Sequence, residues 1–151
     1  MHDGAWLLLD NIQDPGNVGT LVRTADAAGF KGVVLGAGTA DAYSPKVVRA
    51  MQGSQFHLEV LNGDLDEWTD ALISNDLPVY GSLLNEEAKS YHDVQPATQF
   101  GLIVGNEGNG MSAVLADKTT ANLYIPIQGR AESLNVAIAG GILMFTLALG
   151  N

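Results

Sequence analysis

Short apolar runs alternate with helix-period segments along almost the whole chain, and that alternation leaves few folds open. Residues 5–9, 32–35, 56–61, 78–84, 100–104 and 123–127 read as strands, most of them apolar throughout. Between them Val18, Leu21, Val22, Ala25 and Ala28 recur at helical spacing up to Gly29. Ser44-Pro45, a cap followed by proline at the first helical position, introduces a short helix over residues 46–51. Residues 64–74 form an amphipathic pattern with Leu65, Trp68, Leu72 and Ile73 inward, residues 112–116 start a helix, and residues 134–149 make the closing one. The expected fold is α/β, a mostly parallel sheet flanked by helices on both faces. Ligands of such sheets sit beyond the carboxyl ends of the strands. The polar, glycine-rich loops after Leu9, Val104 and Ile127 are therefore expected to meet on that edge.

A length of 151 residues predicts one domain. The absence of cysteine excludes disulfides, thiol nucleophiles and Cys-ligated zinc. His2, His57 and His92 are scattered without ligand spacing, so no metal site is expected, and Trp6 and Trp68 read as core. The N-terminal run lacks a basic region and reads as a strand, not a signal peptide. Residues 134–149, interrupted by Asn135, Thr146 and two glycines, fall short of the roughly 20 residues of a membrane span. A cytoplasmic protein without membrane contact is expected. Seven bases against 17 acids give a net charge of −10, unfavourable for binding nucleic acid over a broad surface, so any RNA contact must be local. The acids between Glu59 and Asp76 read as a solvated face, whereas Arg23, Lys46, Arg49 and Arg130 lie in or near the polar loops.

Three segments carry chemistry. Asp14-Pro15-Gly16-Asn17 has the form of a type II turn delivering Asn17 as a helix cap, and in Asn17-Val-Gly19-Thr-Leu-Val-Arg23 the arginine lies over side-chain-free Gly19 and reaches back toward Asn17. Gly105-Asn106-Glu107-Gly108-Asn109-Gly110 follows a buried strand; its glycines admit close backbone approach, and a lone carboxylate there is hard to explain as packing. The spacing is not that of a dinucleotide or phosphate loop. In IPIQGRAESLNV, residues 125–136, Ser133 and Asn135 open a helix, and a helix start offers free N–H groups and partial positive charge to an electron-rich ligand.

Taken in order, NxGxxxR, GNEG and IPxxGxxESLNV resemble the SpoU family of AdoMet-dependent RNA ribose 2'-O-methyltransferases, in the knotted SPOUT superfamily, over residues 7 to about 149. The resemblance implies a C-terminal trefoil knot that holds S-adenosyl-L-methionine (AdoMet), and a site completed across a homodimer. The closing helix, apolar on every side, points to a second subunit by itself. Carried onto this sequence, the cofactor touches backbone near Leu83, Gly105, Ile125, Ile127 and Leu134, with Asn106, Gly108 and Ser133 on the same loops. Asn17, Arg23, Glu107, Ser133 and Asn135 match the family's active-site positions.

Methyl transfer to a ribose hydroxyl needs that hydroxyl aligned behind the methyl group and its proton removed or shared, without a metal. A guanidinium stays protonated, so Arg23 is favoured as a positioner of phosphate and hydroxyl, its role as base left open. Asn17, Ser133 and Asn135 would orient it and the ribose, and Glu107 would hold Arg23 or the loop. The family usually carries an N-terminal RNA-binding extension; here a strand begins within the first ten residues, and the acidic balance favours a catalytic domain of a longer chain over a minimal form. The alternative is a non-catalytic knotted dimerisation or RNA-docking module. The expected substrate is a transfer or ribosomal RNA.

Overall fold

The computed structural model describes residues 3–149. The elements run β1 (Ala5–Asp10), α1 (Pro15–Ala27), β2 (Gly32–Leu35), α2 (Pro45–Met51), β3 (Glu59–Asn62), α3 (Leu65–Ser74), β4 (Val79–Ser82), β5 (Lys89–Ser90), β6 (Phe100–Gly105), α4 (Ala113–Lys118), β7 (Ala121–Tyr124) and α5 (Val136–Leu147). Among the described residues the seven strands form one parallel sheet in the order β3-β2-β1-β6-β4-β7-β5. Parallel pairing puts every carboxyl end on one edge, as expected.

Alternation within the strands divides the core in two. Leu7, Leu9, Val33, Leu35, Leu102 and Val104 lie under Val18, Leu21 and Val22 of α1, Val47 of α2, and Leu143 and Met144 of α5. Leu8, Val34 and Ile103 face the other way, onto Leu65 and Leu72 of α3 and Leu115 of α4. Because both faces are covered, β1 from Ala5 to Leu9 and β6 from Phe100 to Gly105 carry no polar side chain. Trp6 and Trp68 form a tilted pair with ring centroids 4.7 Å apart, Trp6 inside that second core and half-buried Trp68 packed against it.

Several boundaries differ from expectation, each for a local reason. Asp14, not Asn17, caps α1: its carboxylate accepts from the amides of Gly16 and Asn17, and Pro15 occupies the first helical position. Asn17 therefore sits inside the first turn with its side chain released. Gly19 serves α2 and not Arg23, since a β-carbon there would collide with the Ala50 side chain and lie 2.8 Å from the Val47 carbonyl. Ile73 is 39% exposed, and fully buried Thr69 takes the inward place one turn after Leu65. The strand read at 56–61 starts at Glu59, preceded by a 3-10 turn over Ser54–Phe56. β7 stops at Tyr124, leaving Ile125 and Ile127 in the following loop, and α5 starts at Val136 under an Asn135 cap that accepts from Ala137 and Ile138. Ser133 precedes that cap by two residues. The acidic stretch is not only a solvated face: Asp64 caps α3, and Asp66 and Asp70 reach Lys118 of α4 at 3.3 and 3.2 Å.

The 83–99 excursion crosses to the far sheet edge to place β5 on β7, then returns to the end of α5. There the Ala97 amide donates to the Leu147 carbonyl, and the Leu149 amide donates to the Ala97 carbonyl. His57 lies 2.9 Å from the Asp26 carboxylate and His92 stacks on Tyr91; His2 lies outside the described residues.

Candidate active site

At the β1/β6 junction the crossovers part in opposite directions, and the loops that leave these two strands bond to each other. Glu107 Oε1 accepts from the Gln13 amide at 3.2 Å; Oε2 accepts from the Asp14 amide at 2.9 Å and from Asn17 Nδ2 at 3.3 Å. A carboxylate only accepts, so Asn17 must turn its amide nitrogen toward Glu107 and its oxygen away. That oxygen accepts from Asn135 Nδ2 at 3.3 Å, and the oxygen of Asn135 caps α5. One directed chain thus runs from Glu107 through Asn17 to the start of α5, joining all three motifs.

The GNEGNG loop is shaped by its own residues. Asn106 Nδ2 donates to the Asn11 carbonyl at 2.6 Å, while its oxygen accepts from the amides of Gly108 and Asn109. Asn106 and Gly110 also exchange backbone hydrogen bonds. A β-carbon on Gly105 would strike the Gly110–Met111 backbone, so that glycine lets the loop fold over the strand end.

Two cavities flank this network. A polar one of about 600 Å3 is lined by Gln13, Asp14, Asn17, Asn106, Glu107, Gly108 and Ser133 to Asn135. A narrower one of about 210 Å3 has Leu83, Leu84, Ile125, Ile127, Ser133 and Leu134 in its walls. Ser133 and Leu134 belong to both. Of the residues matched by motif, Asn17, Glu107, Ser133, Asn135, Asn106 and Gly108 meet at the first cavity, and Leu83, Ile125, Ile127 and Leu134 at the second. Gly105 lines neither. Arg23 is exposed on α1 outside both, and among the described residues it makes no hydrogen bond or ion pair. A wider cavity of about 670 Å3 beyond Asp10 is lined by three aspartates and none of the motif residues.

Partial burial works against ionisation of Glu107, but the amides of Asp14, Glu107 itself and Gln13, with the Asn17 carboxamide, outweigh it and hold the carboxyl below its ordinary value. Glu107 is thus an anion at neutral pH, bonded through both oxygens, which suits it to hold the loop. Sequence reading missed Gln13 and Asp14, whose backbone amides anchor Glu107. The Asp-Pro pair was the available signal for the second. No cluster of His, Asp or Glu suited to a metal occurs among the described residues.

The parallel α/β fold of this chain is that of RNA methyltransferases of known structure. The AdoMet-bound rRNA methyltransferase of Sinorhizobium meliloti superposes with TM-score 0.89 at 34% identity, over 97% of this chain and 56% of that one. The AdoMet complex of the SpoU methyltransferase AviRb from Streptomyces viridochromogenes gives 0.85 at 29% identity, over 97% and 60%. Within that class the chain belongs to the SpoU rRNA Methylase family, whose model matches residues 4–145. The 23S rRNA (guanosine(2553)-2'-O)-methyltransferase RlmP of Bacillus subtilis is 51% identical over 141 residues, 93% of this chain. The chain spans 56% of the length of that relative. No helix among the described residues is long and apolar enough to cross a membrane.

Proposed function

We propose that this chain is a catalytic domain, residues 1–151, that transfers a methyl group from AdoMet to the ribose 2'-hydroxyl of a ribosomal or transfer RNA nucleotide in the cytoplasm. The observation that carries the proposal is the shared wall at Ser133 and Leu134, with an apolar cavity on one side and the Glu107–Asn17–Asn135 chain on the other. The narrow cavity, walled by Leu83, Ile125, Ile127 and Leu134 and by loop backbone, suits a flat uncharged base, so these residues would hold AdoMet. When bound, AdoMet supplies an electrophilic methyl group.

The remaining work falls to the chain's own residues. Ser133, in the wall shared by the two cavities, would orient the ribose hydroxyl. Asn17 and Asn135, each with its amide direction already fixed, would hold the sugar without reorganising. Glu107 keeps the β1–α1 loop against the GNEG loop. Among the described residues the polar cavity has no cation in its walls, whereas Arg23 is exposed on α1, a helix that packs against α5, whose Ile138 and Phe145 are 56% and 59% exposed. We assign these to a homodimer interface that delivers Arg23 to the partner's cavity. A C-terminal trefoil knot fits the course of residues 83–99, which bridge β4 to the end of α5. A net charge of −10 keeps RNA contact local.

Calorimetry with AdoMet and transfer of labelled methyl to total RNA test this reading. Arg23→Ala is expected to abolish transfer while AdoMet affinity stays within about threefold. Parallel loss of both would overturn the division of roles, and failure of the unmodified chain to bind AdoMet would overturn the function.

A further inference from the structure

On the outer side of α2, at the free β3 edge of the sheet, a cavity of about 330 Å3 is lined by Tyr43, Val48, Met51, Gln55, Phe56 and Leu61. Tyr43 and Phe56 are each 83% exposed, yet both stand on fixed backbone. The Tyr43 amide donates to Asp41 Oδ1 at 2.9 Å, and the Phe56 amide donates to the Gly53 carbonyl at 3.1 Å. Gln52 and Gly53, at φ 51° and 88°, are successive left-handed residues that reverse the chain after α2 and bring Phe56 back beside it. Gln52 lacks the freedom of glycine there, so the reversal is specified against local preference. In the cavity wall, Gln55 Oε1 is buried with no hydrogen-bond partner. A buried acceptor of that kind is normally met by something. On the solvent face of α2, Arg49 follows Val48 directly and Lys46 lies one turn earlier, both exposed, although only seven bases occur in the chain.

We propose that this cavity receives an unpaired base of the RNA, stacked on Tyr43 or Phe56, with the Gln55 carboxamide turning outward to its edge and its phosphates on Lys46 and Arg49. The inference rests on the RNA reading above and adds a second point of contact to it. Exposed rings beside an amide and cations are the chemistry by which single-stranded nucleic acid is held: every base has a face to stack and an edge to hydrogen-bond. A second copy of this acidic chain is the poorer occupant, because it would have to cover Lys46 and Arg49 as well as the rings, and the apolar surface suited to it lies on α5.

The test uses fluorescein-labelled single-stranded RNA of roughly ten nucleotides, with 4-thiouridine incorporated for photocrosslinking. The Tyr43→Ala/Phe56→Ala double variant is expected to weaken RNA binding about tenfold or more, while Tyr43→Phe/Phe56→Tyr retains it. AdoMet affinity and melting temperature should stay unchanged in both, since these side chains are already in solvent. Crosslinks should map to Tyr43 or Phe56, and Lys46→Ala or Arg49→Ala should each flatten the salt dependence by about one. Unchanged RNA affinity in the double alanine variant would overturn this site while leaving the methyltransferase reading intact. Loss of self-association without loss of RNA binding would make the cavity a subunit contact and equally overturn it. If the unmodified chain neither binds the oligonucleotide nor methylates total RNA, both readings fall.

Discussion

Glu107 acts through what it cannot do, which is donate. Glu107→Gln preserves shape but offers one acceptor oxygen and one donor in place of two acceptors, so it faces at least one of the Gln13, Asp14 and Asn17 N–H groups with another N–H. Asn17 then loses the partner that fixes its amide direction, and the link to Asn135 loosens. The expected cost is on the order of 1 kcal/mol of stability and about tenfold or more in kcat, with AdoMet affinity within a few-fold because Glu107 lines only the polar cavity. Urea melts, calorimetry and single-turnover transfer check the three quantities. The pH dependence has a definite sign. The folded carboxyl is held below its ordinary value of 4.5, so its stabilising contribution is complete above that value and is lost as pH falls through the lower folded one. The urea midpoints of the two proteins should therefore stay apart at neutral pH and converge in acid; a gap that widens on acidification would show that Glu107 is not the ionised anchor.

Between elements, α1 approaches α2 closely at Gly19. Gly19→Ala adds a methyl group against Ala50 and 2.8 Å from a backbone carbonyl that cannot change rotamer. Overpacking of this kind costs about 1–3 kcal/mol, against which alanine recovers about 1 kcal/mol of helix propensity. Net destabilisation is expected, visible as a lower melting temperature, and an unchanged or raised one would show that the helices part freely. The same position marks where sequence stopped being informative. A glycine one turn before Arg23 looked like room for the arginine, but which neighbour fills such room is a matter of tertiary packing. β1 and β6 were legible because burial on both faces leaves a run of apolar residues, whereas β5 has two residues, Lys89–Ser90, and is defined only by pairing with β7. Asp14 and Asn17 are equally good caps by residue type, and Pro15 between them was the deciding clue. The participants at the site were legible as residue types in motifs, but their partners were not: Asn17 meets residues 90 and 118 positions away. Only the fold shows that within one chain Glu107 bonds to the loop and not to its own Arg23.

At the scale of the whole molecule, α5 is an apolar helix with only one side covered. Ala137, Gly140, Leu143, Met144 and Leu147 are buried, while Ile138 and Phe145, seven residues apart and so on one face, stand in solvent. Two such side chains are worth about 1.5–3 kcal/mol each on burial, enough to govern an association constant without being needed for the fold. Ile138→Glu/Phe145→Glu should therefore leave the melting temperature nearly unchanged and give a monomer by sedimentation, with methyl transfer falling in step if Arg23 serves the partner's cavity. Mixing two defective chains separates that arrangement from one in which Arg23 serves its own. In a heterodimer of Arg23→Ala and Glu107→Gln, a cavity with intact Glu107 receives an intact Arg23 only across the interface. Random exchange makes half the dimers mixed with one competent cavity in each, so about a quarter of unmodified turnover should return on mixing. If Arg23 acts within its own chain, both cavities of the mixed dimer carry a defect. Turnover would then stay at the average of the two variants, and the delivery of Arg23 from a second copy would be wrong.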